Sequence, residues 1–171
     1  NQASAASARY QYLINLTAGS QLDDATLAEA RELVVEITDN HGKTLYADLA
    51  RLIDARLAVA DEDLPGARAA LEAVIDASGR DYVKGLARLR LARLQVAQGE
   101  AEAALSTLDA GVPEALAAQR AEVRGDAYHA LGREGDAGEA WREALDLAEA
   151  RDQPLYGVQL KLDNLGLGVD S

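Results

Sequence analysis

Three times along the chain a small residue is followed, four positions later, by a bulky one: Ala67 and Leu71, Ala104 and Leu108, Ala137 and Trp141. The steps between successive pairs are 37 and 33 residues. Twelve residues before each of these alanines stands another small residue, Ala55, Ala92 and Gly125. Side chains four apart lie one above the other on an α-helix, and a small residue at such a station lets a second helix approach closely. Two stations recurring together at one interval call for three copies of a helical pair.

The rest of the pattern agrees. Helical periodicity runs from end to end, and no stretch alternates with a period of two over more than a few residues. A first helix is expected over Ser4 to Ala18, with Tyr10, Leu13, Ile14 and Thr17 on one face and Gly19 closing it. A second begins at an N-cap of Asp23 or Asp24, carries Leu27, Ala30, Leu33, Val34 and Ile37, and stops at Asn40-His41-Gly42. The pairs then run roughly 44–60 with 64–77, 81–98 with 100–110, and 115–131 with 136–149. A last helix, about 154–165, is expected to start at Pro154. The chain thus reads as a single all-α domain: an N-terminal helical pair over 1–43, hairpin repeats over 44–79, 80–113 and 114–150, and a C-terminal capping helix and tail over 151–171.

These intervals are close to the ~34-residue tetratricopeptide period. The third pair carries the fullest form of that consensus, with Gly125, Tyr128, Gly132, Ala137, Trp141 and Ala144. The expected architecture is a tetratricopeptide-like, right-handed helical-hairpin solenoid. Each pair buries its apolar face against its neighbours, and the first helices of the pairs line a concave surface.

Composition narrows the function. The core has to be built from Leu, Val, Ile and Ala, because the chain holds no Phe, no Met and one Trp. A formal net charge of -12 repels nucleic acid and anionic lipid headgroups. The absence of cysteine removes disulfides and thiolate metal sites. No apolar run approaches the roughly 20 residues that cross a bilayer. The chain opens at Asn1 rather than Met, so a segment upstream of it is expected.

The stretches "LARLRLARLQVAQGEAEAALSTLDAG" (86–111), "RGDAYHALGREGDAGEAWREAL" (124–145) and "LKLDNL" (160–165) together resemble the YfgM family, an ancillary subunit of the SecYEG protein translocon in Gram-negative bacteria. The opening "NQASAASARYQYL" is similar to the segment that follows that family's single N-terminal membrane anchor. The resemblance implies a periplasmic domain tethered to the inner membrane through an anchor that this chain does not contain. It also implies partners in the SecYEG translocon and a PpiD-type periplasmic chaperone. It brings no catalytic residues with it.

Constellations that suggest chemistry fail in detail. "DEDLPG" (61–66), with Glu72 beyond it, has the outline of a calcium loop, but Pro65 and Ala69 stand where side-chain ligands are needed. The glycines at 132, 135 and 138 precede a helix, yet Gly138 is followed by Glu139-Ala140 rather than Lys-Ser or Lys-Thr. Glu134, Asp136 and Glu139 would also oppose a phosphate. His41 and His129 have no metal-ligand spacing; His129 falls on a face that points into the groove. No enzyme, cofactor or metal site is expected.

The pattern that points to binding is on the inner helices, where Leu52, Arg56 and Val59 recur one repeat later as Leu89, Arg93 and Val96. Arginines among aliphatic side chains, with Arg90 at the rim and His129 further along, suit a peptide carrying apolar and acidic groups. In the other reading, the leucines and valines pack against the extra helices and the arginines pair with local carboxylates. The last helix supplies Leu155, Val158, Leu160, Leu162 and Leu165. It either caps the third pair, bends towards the groove or joins a homodimer through Tyr156, Leu160 and Leu162. The sequence therefore leads to a non-enzymatic, protein-binding scaffold or chaperone-like module at the translocon. The alternative is a structural, oligomerising tetratricopeptide protein with no client groove.

Overall fold

A computed structural model describes residues 1–19 and 21–169; the expected tail at 170–171 lies outside the described residues. Among the described residues the regular structure is entirely helical, as expected. They form two compact units, Asn1–Gly79 and Arg80–Ser171, divided where the first hairpin repeat was expected to end.

The first unit contains α1 (Gln2–Leu16), α2 (Asp24–Asn40), α3 (Leu45–Ala60) and α4 (Leu64–Ala77). α1 starts earlier and ends sooner than its periodicity suggested, for reasons found at its two ends. The Asn1 side chain accepts from the Ser4 amide at 2.8 Å and caps the first turn, and the buried Thr17 hydroxyl donates back to the Leu13 carbonyl at 2.8 Å. Asp23, not Asp24, caps α2. The Thr26 backbone N–H and hydroxyl, from which it accepts, hold its carboxyl below the usual aspartate range. Leu13, Ala30, Val34, Ile37, Ala47, Ala50 and Leu57 form the core between α1, α2 and α3. One buried polar link ties α3 to the end of α4: the Ser78 hydroxyl donates to Asp48 Oδ2 at 2.7 Å. Beside the α3–α4 turn, burial pushes the Asp54 carboxyl up, against the attraction of Arg31 and with some help from Asp63.

The second unit contains α5 (Asp81–Ala97), α6 (Ala101–Asp109), a 3-10 turn (Glu114–Leu116), α7 (Ala117–Ala130), α8 (Glu134–Ala150) and α9 (Val158–Val169). Leu89, Ala92, Ala104, Leu108, Val123 and Ala127 interlock α5, α6 and α7, and Ala121, Ala137, Trp141, Ala144 and Val158 join α7, α8 and α9. The α6–α7 connection is pressed onto α5: a Cβ at Gly85 would come 2.2 Å from Pro113 Cδ. Arg88 also donates to the Gly111 carbonyl at 3.0 Å.

A turn repeated at the same interval joins the helices of each pair. The amides of Asp63, Glu100 and Arg133 donate to the carbonyls of Ala58, Gln95 and Tyr128, at 2.8, 2.8 and 2.9 Å. The residue before each of those amides is left-handed: Glu62 at φ 60, Gly99 at φ 81, Gly132 at φ 75. This closure satisfies the last helical carbonyls and favours glycine at the left-handed position. Two repeats have glycine there; the first makes do with a glutamate.

α9 differs from expectation. Pro154 does not start it; residues 151–157 form a turn through Asp152 at φ 52 and Gly157 at φ 86, and the helix begins at Val158. The buried Val158 and the partly buried Leu155, Leu162 and Leu165 pack on the Trp141 cluster, so α9 caps the third pair. Tyr156 and Leu160 remain 88% and 63% exposed. No helix among the described residues is long and apolar enough to cross a membrane.

Candidate functional site

The second unit contains an open cleft of about 1280 Å³ between α5, α7, the start of α8 and α9. Its position follows from how Trp141 is seated. A Cβ at Gly125 would come 2.3 Å from Trp141 Cδ1 and Nε1, so only glycine lets α7 lie against the indole. Trp141 Nε1 then donates to the Glu122 carbonyl at 3.2 Å and to Asp126 Oδ1 at 3.1 Å. From α9, Lys161 Nζ donates to the same Asp126 oxygen at 2.8 Å, lies 3.8 Å from Glu122 Oε1, and stands 5.9 Å from the Trp141 ring centroid. Three helices are thus joined through one carboxylate and one indole. A charge-assisted bond that is partly sheltered from water is stronger than its exposed counterpart.

One turn further along α7, His129 Nδ1 lies 2.9 Å from Glu134 Oε1, and its ring centroid is 5.7 Å from that of Trp141. Arg93, Val96 and His129 line the cleft, with Lys161 and Leu162 opposite on α9. The start of α8 supplies Glu134, Gly135 and Gly138 to the wall, one carboxylate and two residues without side chains.

The binding residues expected from sequence separate into distinct groups. Arg93, Val96 and His129 come together on this cleft. Leu89 does not reach it; at 4% exposure it belongs to the core with Ala92, Leu108 and Val123. In the first unit Leu52 is also 4% exposed, whereas Val59 is exposed. The exposed Arg56 donates through Nη2 to Thr17 Oγ1 at 3.4 Å, next to α1. The two leucines therefore cannot offer apolar surface to a partner in this conformation. They recur because each repeat needs a core residue there, a reason that periodicity does not distinguish from a binding stripe. Arg90 is exposed and is not among the residues that line the cleft. The suspected calcium loop is occupied otherwise: Asp63 caps α4, its Oδ1 accepting from the Gly66 amide at 3.0 Å, and Glu62 takes the left-handed turn position. His41 is held by the side chain of Gln2.

Asp126, Arg142 and Lys161 were not anticipated. Asp126 had a signal, since it falls 33 residues after Arg93, at the same repeat station. Arg142 and Lys161 had none, because their roles depend on where α9 turns back.

The model of the tetratricopeptide repeat-like domain matches residues 1–167. No match was found among curated proteins or among solved structures. Since that model spans nearly all of the chain, the chain belongs to the tetratricopeptide repeat-like family, whose domains are generally non-catalytic protein-interaction modules.

Proposed function

We propose that this chain is a non-enzymatic scaffold that holds a protein segment in the cleft of its second unit. Its setting would be the periplasmic side of the bacterial inner membrane, where it serves as the soluble part of an anchored accessory subunit of the Sec translocon. The observation that carries the binding reading is the cleft itself, an open concavity in which Arg93, Val96 and His129 are gathered from two successive repeats. Concave surfaces of this kind are the usual binding faces of helical-hairpin repeats. The translocon setting rests on the resemblance of residues 86–111, 124–145 and 160–165 to the YfgM family. That resemblance suggests SecYEG and a PpiD-type chaperone as partners and a chaperone-like role towards chains leaving the translocon.

Photo-crosslinking tests this reading directly. A crosslinking side chain at exposed His129 in the membrane-anchored protein is expected to capture a translocon subunit, the chaperone or a chain in transit. Capture of none of these rejects the assignment.

A second reading is favoured by exposed Tyr156, in the turn before α9, and exposed Leu160 on α9, which suit a second copy of the chain. In that case the role is structural and the contact homodimeric. Light scattering separates the two: a dimer converted to a monomer by Leu160→Glu supports self-association, and a wild-type monomer at high concentration removes it.

A further inference from the structure

Each carboxylate on the cleft wall has a hydrogen-bonding partner within the chain. Asp126 is held by the cation Lys161 and by Trp141, Glu134 by the His129 imidazole, and Asp163 by the neutral amide of Gln159 at 3.0 Å. Arg93 on α5 and Arg142 on α8 are different. Both are exposed on the cleft wall, and neither has an ion pair or hydrogen bond among the described residues. In a chain with 29 acidic and 17 basic residues, two guanidinium groups left over in one concavity leave strong donors without acceptors. Their planar forks match carboxylates best. The same wall also offers the partly buried side chains of Val96 and Leu162.

We propose that the cleft of the second unit takes an acidic peptide segment, whose carboxylates engage Arg93 and Arg142 and whose apolar side chains lodge against Val96 and Leu162. The inference rests on the reading of this cleft as protein-binding and adds the chemical class of its occupant. The two arginines come from different kinds of helix, a first helix and a second helix, so the occupant runs across the hairpins rather than along one of them. The overall field of the chain repels anions at a distance, so the interaction is made at contact range and is sensitive to salt.

Fluorescence anisotropy on the full chain tests this with a short labelled peptide of alternating glutamate and leucine, and with its glutamine and lysine counterparts. The glutamate peptide is expected to bind most tightly and to weaken as salt is added. Arg93→Gln and Arg142→Gln each weaken it about fivefold, the upper range for partly solvated pairs, without a change in melting temperature. Arg133→Gln, which removes a charge paired with Asp136 outside the cleft, leaves binding unchanged. Ala130→Trp, which fills the cleft from an exposed position, reduces binding of every peptide.

Equal binding of the glutamate and glutamine peptides, both lost in Ala130→Trp, overturns the acidic class but keeps the cleft as a binding surface. Glutamate-selective binding indifferent to both arginine variants also overturns it. If no peptide binds, the protein-binding reading falls with it.

Discussion

Adding one methyl group at Gly125 tests the central packing contact of the third repeat. An alanine Cβ there would stand 2.3 Å from two atoms of the Trp141 indole and 2.9 Å from a third. The indole is rigid, 2% exposed, and held by hydrogen bonds to the Glu122 carbonyl and Asp126, so it has little room to yield. Overpacking of this kind costs about 1–3 kcal/mol. A displaced Nε1 sacrifices up to two bonds of about 1 kcal/mol each. Replacing a mid-helix glycine by alanine returns about 0.5–1 kcal/mol.

With both bonds lost, the balance is a loss of roughly 2–4 kcal/mol, which for a chain of this size lowers the melting temperature by on the order of 10 °C. The other repeats suggest the cure, because they place Ala55 with Leu71 and Ala92 with Leu108 where this one places Gly125 with Trp141. Trp141→Leu alone leaves a void and costs about 2–3 kcal/mol. The double variant Gly125→Ala with Trp141→Leu should cost less than the sum of the singles by about 1–2 kcal/mol. Calorimetry of all four proteins measures this. A Gly125→Ala protein that melts at or above the parent, or singles that simply add, would refute the argument.

Other substitutions check separate parts of the structure. Glu62→Gly should stabilise the chain by up to about 1 kcal/mol, because a left-handed glutamate becomes the residue preferred there, and Gly132→Ala should destabilise by a similar amount; denaturant midpoints decide both. Lys161→Met, which removes the link from α9 to Asp126, should cost about 1 kcal/mol; hydrogen exchange at α9 amides should speed up while that of α5 and α6 is unchanged. Because burial raises the Asp54 carboxyl in the fold, its ionised form opposes folding above that raised value, and the penalty fades as pH falls towards the ordinary aspartate range. Asp54→Asn should therefore melt higher than the parent at neutral pH, with the gap closing in acid; a gap that widens in acid contradicts the sign.

Much of the fold could be read before any coordinates. The stations Ala55, Ala92 and Gly125, and the alanines and bulky residues that follow them, are local consequences of helical periodicity. Buried helices must repeat them wherever the same packing problem recurs. Helix ends set by short-range bonds were legible to within a few residues, as at Asp23 and Asn40. The misplaced start of α9 shows the limit of local rules: Pro154 is a good first residue for a helix, but Asp152 and Gly157 turn left-handed there, and the first residue fully buried on the Trp141 cluster is Val158.

The cleft was only half legible for the same reason. Arg93, Val96 and His129 lie on helical faces that periodicity assigns, whereas Leu52 and Leu89 share the same periodicity and are buried. A repeat in sequence records that a position matters to the repeat, without saying whether it meets a neighbour or solvent. By itself, then, the sequence determined the helices, their pairing and the interval at which they recur, because those depend on contacts a few residues apart. Tertiary structure alone decided which carboxylates are neutralised and which arginines are left over. Ion pairs such as Asp126 with Lys161 join residues 35 apart, and only the return of α9 onto α7 and α8 brings them within reach.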